Sequence, residues 1–223
     1  MELALLAVFI RSDSAGGVKT RLASLLGTEG ASDLYDAFVE DALGLCARVR
    51  AVGRVDIALW TAGSPTEAIE RWAREHDAEI HLQPEGDLGV KLSAAFDQGL
   101  QRYERVVIVG SDMPTLPLSL IVAAFDSLER ARLVLGPAND GGYYAIGASH
   151  GIRPRFDGVR WSTSHALADT LRANASLRAA ILSPWYDVDE PADLAILRAH
   201  LSADPAAAPA TARRLDQLLG SHK

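Results

Sequence analysis

Short apolar or β-branched runs at residues 3–10, 55–60, 79–82, 106–109 and 133–135 alternate with stretches of helical periodicity, and this alternation narrows the folds open to the chain more than anything else. Leu34, Phe38, Ala42, Leu45 and Val49 recur at three- and four-residue spacing, as do Leu118, Ile121, Phe125 and Leu128, so each set lines one helix face. A βαβαβαβ order predicts an α/β three-layer sandwich with a mostly parallel central sheet covered on both sides. Ser64-Pro65-Thr66-Glu67 supplies a capping residue, an early proline and a glutamate, which predicts a helix through Trp72. After Pro137, Gly141-Gly142-Tyr143-Tyr144 leads into a further strand, and helices are expected at 164–172 and 191–201. The Ala/Pro-rich stretch 202–211 reads as a linker to a short helix at 212–219, dividing the chain into one domain, 1–201, and a tail, 202–223.

Composition excludes several classes of function. The formal net charge of -7 predicts no nonspecific attraction to a nucleic acid polymer or an anionic membrane surface, so any anionic ligand must meet local cations. Cys46 is the single cysteine, which rules out an intrachain disulfide and a cysteine-rich zinc site and suits a reducing cytoplasm. Residues 3–10 read as a first strand and not a secretion leader, because they follow an acid at Glu2 and no small-residue cleavage site comes after them. No later run approaches membrane-spanning length, so no membrane insertion is expected.

Four constellations can carry chemistry. The apolar run 107–109 stops on Gly110 and Ser111 and then presents Asp112, at the edge of a parallel sheet where ligands bind. A carboxylate there can hold a hard divalent cation against phosphate oxygens, or simply cap the next segment. The first loop contains Arg11, Asp13, Ala15, Gly16, Gly17, Lys19 and Arg21. Paired glycines let backbone approach an anion and the cations can neutralise phosphate, although the spacing is not that of a Walker loop and a solvated basic turn is the bland reading. In the turn 136–144, Asp140 can bind an acceptor hydroxyl, act as general base, or bond its own turn amides at Gly141 and Gly142. Tyr143 and Tyr144 alternate faces, so one packs in the core and the other is left to face ligand. Asp187, Asp189, Glu190 and Asp193 crowd around Pro191, and for Asp187 and Asp189 helix capping and metal ligation both remain open. Arg160, Trp161, Ser162 and Thr163 add a cation, an aromatic wall and hydroxyls ahead of a helix, with a hydroxyl cap as the structural reading.

Taken in order, these segments resemble a bacterial glycosyltransferase-like family of the nucleotide-diphospho-sugar transferase superfamily, of GT-A fold. The resemblance rests on Gly-x-Val-Lys-Thr-Arg-Leu at 16–22, Gly-Asp-Leu-Gly at 86–89, Gly-Ser-Asp-Met-Pro at 110–114, Gly-Pro-x-x-Asp-Gly-Gly-Tyr-Tyr at 136–144, Trp-Ser-Thr at 161–163 and Asp-Val-Asp-x-Pro-x-Asp-Leu at 187–194. It implies a nucleotide over the first half of the sheet, touching Arg11, Gly16, Gly17, Lys19, Arg21, Asp87, Gly89 and Ser111. It also implies Mg²⁺ or Mn²⁺ on Asp112 with Asp189 or Asp187, and an acceptor near Asp140, Gly141, Gly142, Tyr144, Trp161, Ser162 and Thr163. Asp13, Ala15 and Gly17 depart from the family, which commonly has prolines at the first two positions and a base at the third.

Three functions follow as expectations. The first is metal-dependent glycosyl transfer from a nucleotide sugar to a small acceptor, with Asp140, Lys19 and Arg21 as catalytic residues. The second is nucleotidyl transfer from a nucleoside triphosphate with release of pyrophosphate, because the Lys-Thr-Arg-Leu loop also resembles that of 2-phospholactate guanylyltransferase and molybdenum-cofactor guanylyltransferase. The third is a noncatalytic nucleotide-binding module.

Overall fold

The computed structural model describes residues 4–11 and 19–220. Seven strands form one sheet in the order β3-β2-β1-β4-β6-β5-β7. They are β1 (Ala4–Arg11), β2 (Val55–Ala62), β3 (Glu79–Leu82), β4 (Arg105–Gly110), β5 (Leu133–Pro137), β6 (Tyr143–Ser149) and β7 (Ala179–Ile181). All pairings are parallel except those of β6, which runs antiparallel to both β4 and β5. The expected α/β sandwich with a mostly parallel sheet is therefore the architecture of the chain. Short β7 has too little apolar length to announce itself in sequence; it exists because it adds a parallel edge to β5.

Both sheet faces are buried, and alternate residues of each central strand serve different cores. Leu6, Val8 and Ile10 of β1 join Val107 and Val109 of β4 under α1 (Ala23–Val52), α4 (Leu118–Ser127) and α6 (Asp193–Ala203). Leu5 and Ala7 join Val106 and Ile108 on the opposite face, with Phe96 of α3 (Leu88–Gly99) and the flank of α5 (Ala166–Ala173). Each such aliphatic side chain, removed from water, contributes about 1.5–3 kcal/mol. Helix α1 is interrupted at Gly27, whose φ of 72° is a conformation that side-chain-bearing residues seldom adopt.

Two sequence expectations need correction. Thr66, and not Ser64, caps α2 (Glu67–Glu75): its extended backbone lets its side chain accept the Ile69 N–H, so the helix starts after Thr66 and not at Pro65. The stretch 202–211 is not a loose linker. It holds a 3₁₀ turn at Pro205–Ala207, buries Ala208 and leads into α7 (Pro209–Gly220), which packs on α1 through Leu215. Asp41 of α1 accepts the N–H groups of Ala210 and Thr211, satisfying free donors at the start of α7.

Candidate active site

The sheet places the loops after β1, β4, β5 and β7 along one edge. Departing β1, the chain moves to β2 on one side and returns through β4 on the other, so the strand connections diverge between β1 and β4. Such a switch point opens a crevice at the carboxyl ends of the strands. A shallow hollow of about 620 Å³ lined by Asp126, Arg130 and Arg178 lies at the opposite edge and is remote from this crevice.

At the crevice, acids from two distant segments meet one cation. Lys19 Nζ lies 2.7 Å from Asp112 Oδ1 and also bonds Asp189 Oδ1. The lysine is only 8% exposed, and its ammonium sits over the Phe38 ring, 5.8 Å from the centroid. Its φ of 54° is left-handed, an uncommon conformation for a lysine, and its carbonyl accepts the N–H groups of Leu22 and Ala23 at the entry to α1. The segment carrying Asp189 is anchored beside the other two loops: Val188 N–H donates to the Asp112 carbonyl and Trp185 N–H to the Pro137 carbonyl. Farther back, the Tyr186 hydroxyl links Thr115 Oγ1 to His200 Nδ1, each at 2.8 Å.

The electrostatics follow from this crowding. Burial works to raise the pKa of Asp189, but the Lys19 ammonium, with Arg11 and Arg21 farther out, overcomes it and holds the carboxyl below its ordinary value. Burial, followed by repulsion from Asp189 and Asp140, pushes Asp187 up to about 6. Asp187 is thus an electrostatic neighbour both of Asp189, on its own segment, and of Asp140, on the loop after β5.

The other expected residues sort themselves by position. Arg11 is exposed at the end of β1, and Arg21 pairs with Glu190 at 2.8 Å on the surface. Gly16 and Gly17 lie outside the described residues. Asp87 caps α3 by accepting the Val90 N–H, and Gly89 is small because Phe156 and Trp161 pack against it. Ser111 turns its hydroxyl inward, 2.7 Å from the Tyr35 hydroxyl, and is 2% exposed. Asp140 accepts the Gly142 N–H at 2.7 Å, the turn-stabilising option, while remaining exposed. Gly141 has a φ of 86°, and a Cβ there would lie 2.4 Å from the Ser164 carbonyl oxygen, so the turn is docked tightly on the segment leading into α5. Thr163 accepts the His165 N–H and donates to the Arg160 carbonyl, and Ser162 is exposed with a φ of 57°.

Tyr144 is a correction. It is 3% exposed, its ring fills the space over Gly136, and its hydroxyl donates to the Ser183 carbonyl, so no face is left for an acceptor. Its neighbour Tyr143 points to the other side of the sheet, edge-on to Trp161. Tyr35 and Phe38 also touch this crevice, at Ser111 and Lys19, although on α1 they look like ordinary members of an apolar face.

The donor set suits a hard divalent cation. Among the described residues no group of three or more His, Cys, Asp or Glu is placed to hold a metal ion by itself. Two converging carboxylates are what Mg²⁺ commonly uses when substrate phosphates and water complete its shell. No helix among the described residues is long and apolar enough to cross a membrane.

Comparison with known proteins agrees with this architecture. Over 126 residues the chain is 32% identical to 2-phospho-L-lactate guanylyltransferase of Methanothermobacter thermautotrophicus, a stretch covering 56% of this chain and 53% of that relative, about half its length. A protein of Desulfovibrio desulfuricans G20, provisionally designated a nucleotide-diphospho-sugar transferase, superposes with a TM-score of 0.83 at 29% identity, covering 100% of this chain and 99% of its own. A cytidylyltransferase from Leptospira borgpetersenii shares the fold with a TM-score of 0.59 at 11% identity, covering 99% and 95% of the two chains. Residues 45–163, more than half of the chain, match a family model that includes Asp112, Asp140 and Trp161, and the chain belongs to that family, described as an uncharacterized protein conserved in bacteria (DUF2064).

Proposed function

We propose that the chain is a metal-dependent nucleotidyltransferase that joins a nucleoside triphosphate to a small acceptor and releases pyrophosphate. The observation that carries this reading is the convergence of Asp112 and Asp189 on a single cationic centre in the crevice between β1 and β4. The guanylyltransferase relative supports nucleotidyl transfer over the glycosyl transfer first expected from the motifs.

Asp112 and Asp189 would hold Mg²⁺ or Mn²⁺, which when bound supplies positive charge to the donor's phosphates. With both acids engaged, the Lys19 ammonium is left to pair with phosphate oxygens, and Arg21 and Arg11 add charge at the rim. Asp140 has one carboxylate oxygen committed to the Gly142 N–H, so the other is available to orient an acceptor hydroxyl. Gly141, Gly142, Trp161, Ser162 and Thr163 shape that side of the cleft, with Asp187 beside it.

The test is a thermal-shift panel of nucleoside triphosphates and nucleotide sugars with and without Mn²⁺, since a ligand that binds only the native state raises the melting temperature. A triphosphate should raise it only with the metal present, and Asp112→Asn should abolish that shift while the variant still folds. With an acceptor supplied, pyrophosphate is the expected product. Nucleoside diphosphate released from a nucleotide sugar would restore the glycosyl-transfer reading, and an unchanged shift in the Asn variant would remove Asp112 from the site.

A further inference from the structure

Strands β1 and β4 are paired as far as Phe9 and Gly110, whereas β1 stays paired with β2 through Arg11 and Ala62. Past Phe9 and Gly110 the two strands part, and the gap between their ends is the crevice itself. A side chain from α1 spans it. The Tyr35 hydroxyl accepts the backbone N–H of Arg11 at 2.8 Å and shares a hydrogen bond with Ser111 Oγ at 2.7 Å.

Its surroundings make this a rigid link. Tyr35 and Ser111 are each 2% exposed, so water does not compete for either bond. Burial, with the Asp112 carboxylate adding to it, pushes the phenol pKa far above its ordinary value, so the hydroxyl keeps its proton and remains both donor and acceptor. Phe38 stands one turn further along the same helix, beneath the Lys19 ammonium. One face of α1 therefore supports the root of the first loop, the lysine and the residue preceding Asp112.

We propose that Tyr35 is a positioning residue: its hydroxyl bridges the diverging ends of β1 and β4 and so sets the separation between the root of the first loop and Asp112. The role rests on the functional reading above, because the separation matters only if Asp112 and the described ends of the first loop, Arg11 and Lys19, grip one ligand. Partners bonded directly to metal ligands commonly cost about 10- to 100-fold in affinity when removed; Tyr35 bonds Ser111, the residue before Asp112, so its removal is expected at the lower end of that range.

Tyr103 supplies the control. It too is buried, and its hydroxyl donates to Asp56 Oδ2 at 2.9 Å, but at the opposite edge of the sheet. Tyr35→Phe and Tyr103→Phe each delete one buried tyrosine hydroxyl, so both should lower the melting temperature. Only Tyr35→Phe should weaken binding of Mn²⁺ with a nucleoside triphosphate, by about tenfold or more, in calorimetric titrations of the full chain with each of the four common triphosphates. Ser111→Ala should weaken it in the same direction, and the double variant should be no worse than Tyr35→Phe, because both changes cut one bridge. If Tyr35→Phe does not fold, Ser111→Ala carries the same test with the phenol in place. Parent-like affinity in Tyr35→Phe or, failing that, in Ser111→Ala would reduce the bridge to a stabilising contact and overturn the proposal. Absence of binding by the parent chain with all four would sink the functional reading instead, and the proposal with it.

Discussion

Lys19 stands where Asp112 and Asp189 converge, its left-handed backbone turned into α1 by the bonds its carbonyl accepts from Leu22 and Ala23. Removing the ammonium leaves two carboxylates facing one another across a partly buried gap. Lys19→Met should therefore cost roughly 1–3 kcal/mol of stability, through an uncompensated charge. Mn²⁺ should raise the melting temperature of this variant more than that of the parent, since the acids no longer hold a resident cation; an equal rise in both would show that Lys19 and the metal do not share a site. A second residue-scale expectation concerns Asp169, a buried acid that accepts from Arg160 and Arg172. The Arg160 hydrogen bond, against the opposing effect of burial and with Arg172 assisting, holds its carboxyl well below the usual carboxylate range. A folded-state pKa below the unfolded one stabilises fully above about pH 5 and loses that contribution as pH falls further. Denaturant midpoints should drop between about pH 5 and pH 2, and Asp169→Asn should drop less over the same interval; identical slopes would mean the acid is not differentially charged.

At the scale of elements, α1 organises the molecule. Its inner face supports the crevice through Tyr35 and Phe38, and its buried Asp41 holds the N-terminus of α7. Burial raises the pKa of Asp41, while the two α7 N–H groups work in the opposite direction. Asp41→Ala should cost about 0.5–2 kcal/mol, the usual range for a lost N-cap. Limited proteolysis would then cut the chain near residues 204–209 sooner than in the parent; parent-like cleavage would show that apolar packing alone holds the tail. The segment following β7 is anchored by backbone bonds to Pro137 and Asp112, so the late acids arrive at the site on an ordered extension of the sheet and not on a free loop.

Across the whole molecule, the divergence of strand connections between β1 and β4 decides where the crevice lies. In a chain with a net charge of -7, Arg11, Lys19 and Arg21 stand at that edge among acids, Lys19 paired with Asp112 and Asp189 and Arg21 with Glu190. The sequence by itself determined the α/β class, six of the seven strands of the described sheet and Asp112 as a sheet-edge acid, because apolar period and abrupt glycine punctuation are local properties that survive without neighbours. It also marked the Asp140 turn, whose tight docking at Gly141 only a glycine permits. Tertiary structure alone decided that Asp189 meets Lys19 across 170 residues, that Tyr35 meets Ser111 across 76, that Tyr144 faces inward and that the tail is packed. Each of these depends on which distant side chain lies opposite, and a local pattern of residues carries no record of what the fold will bring against it.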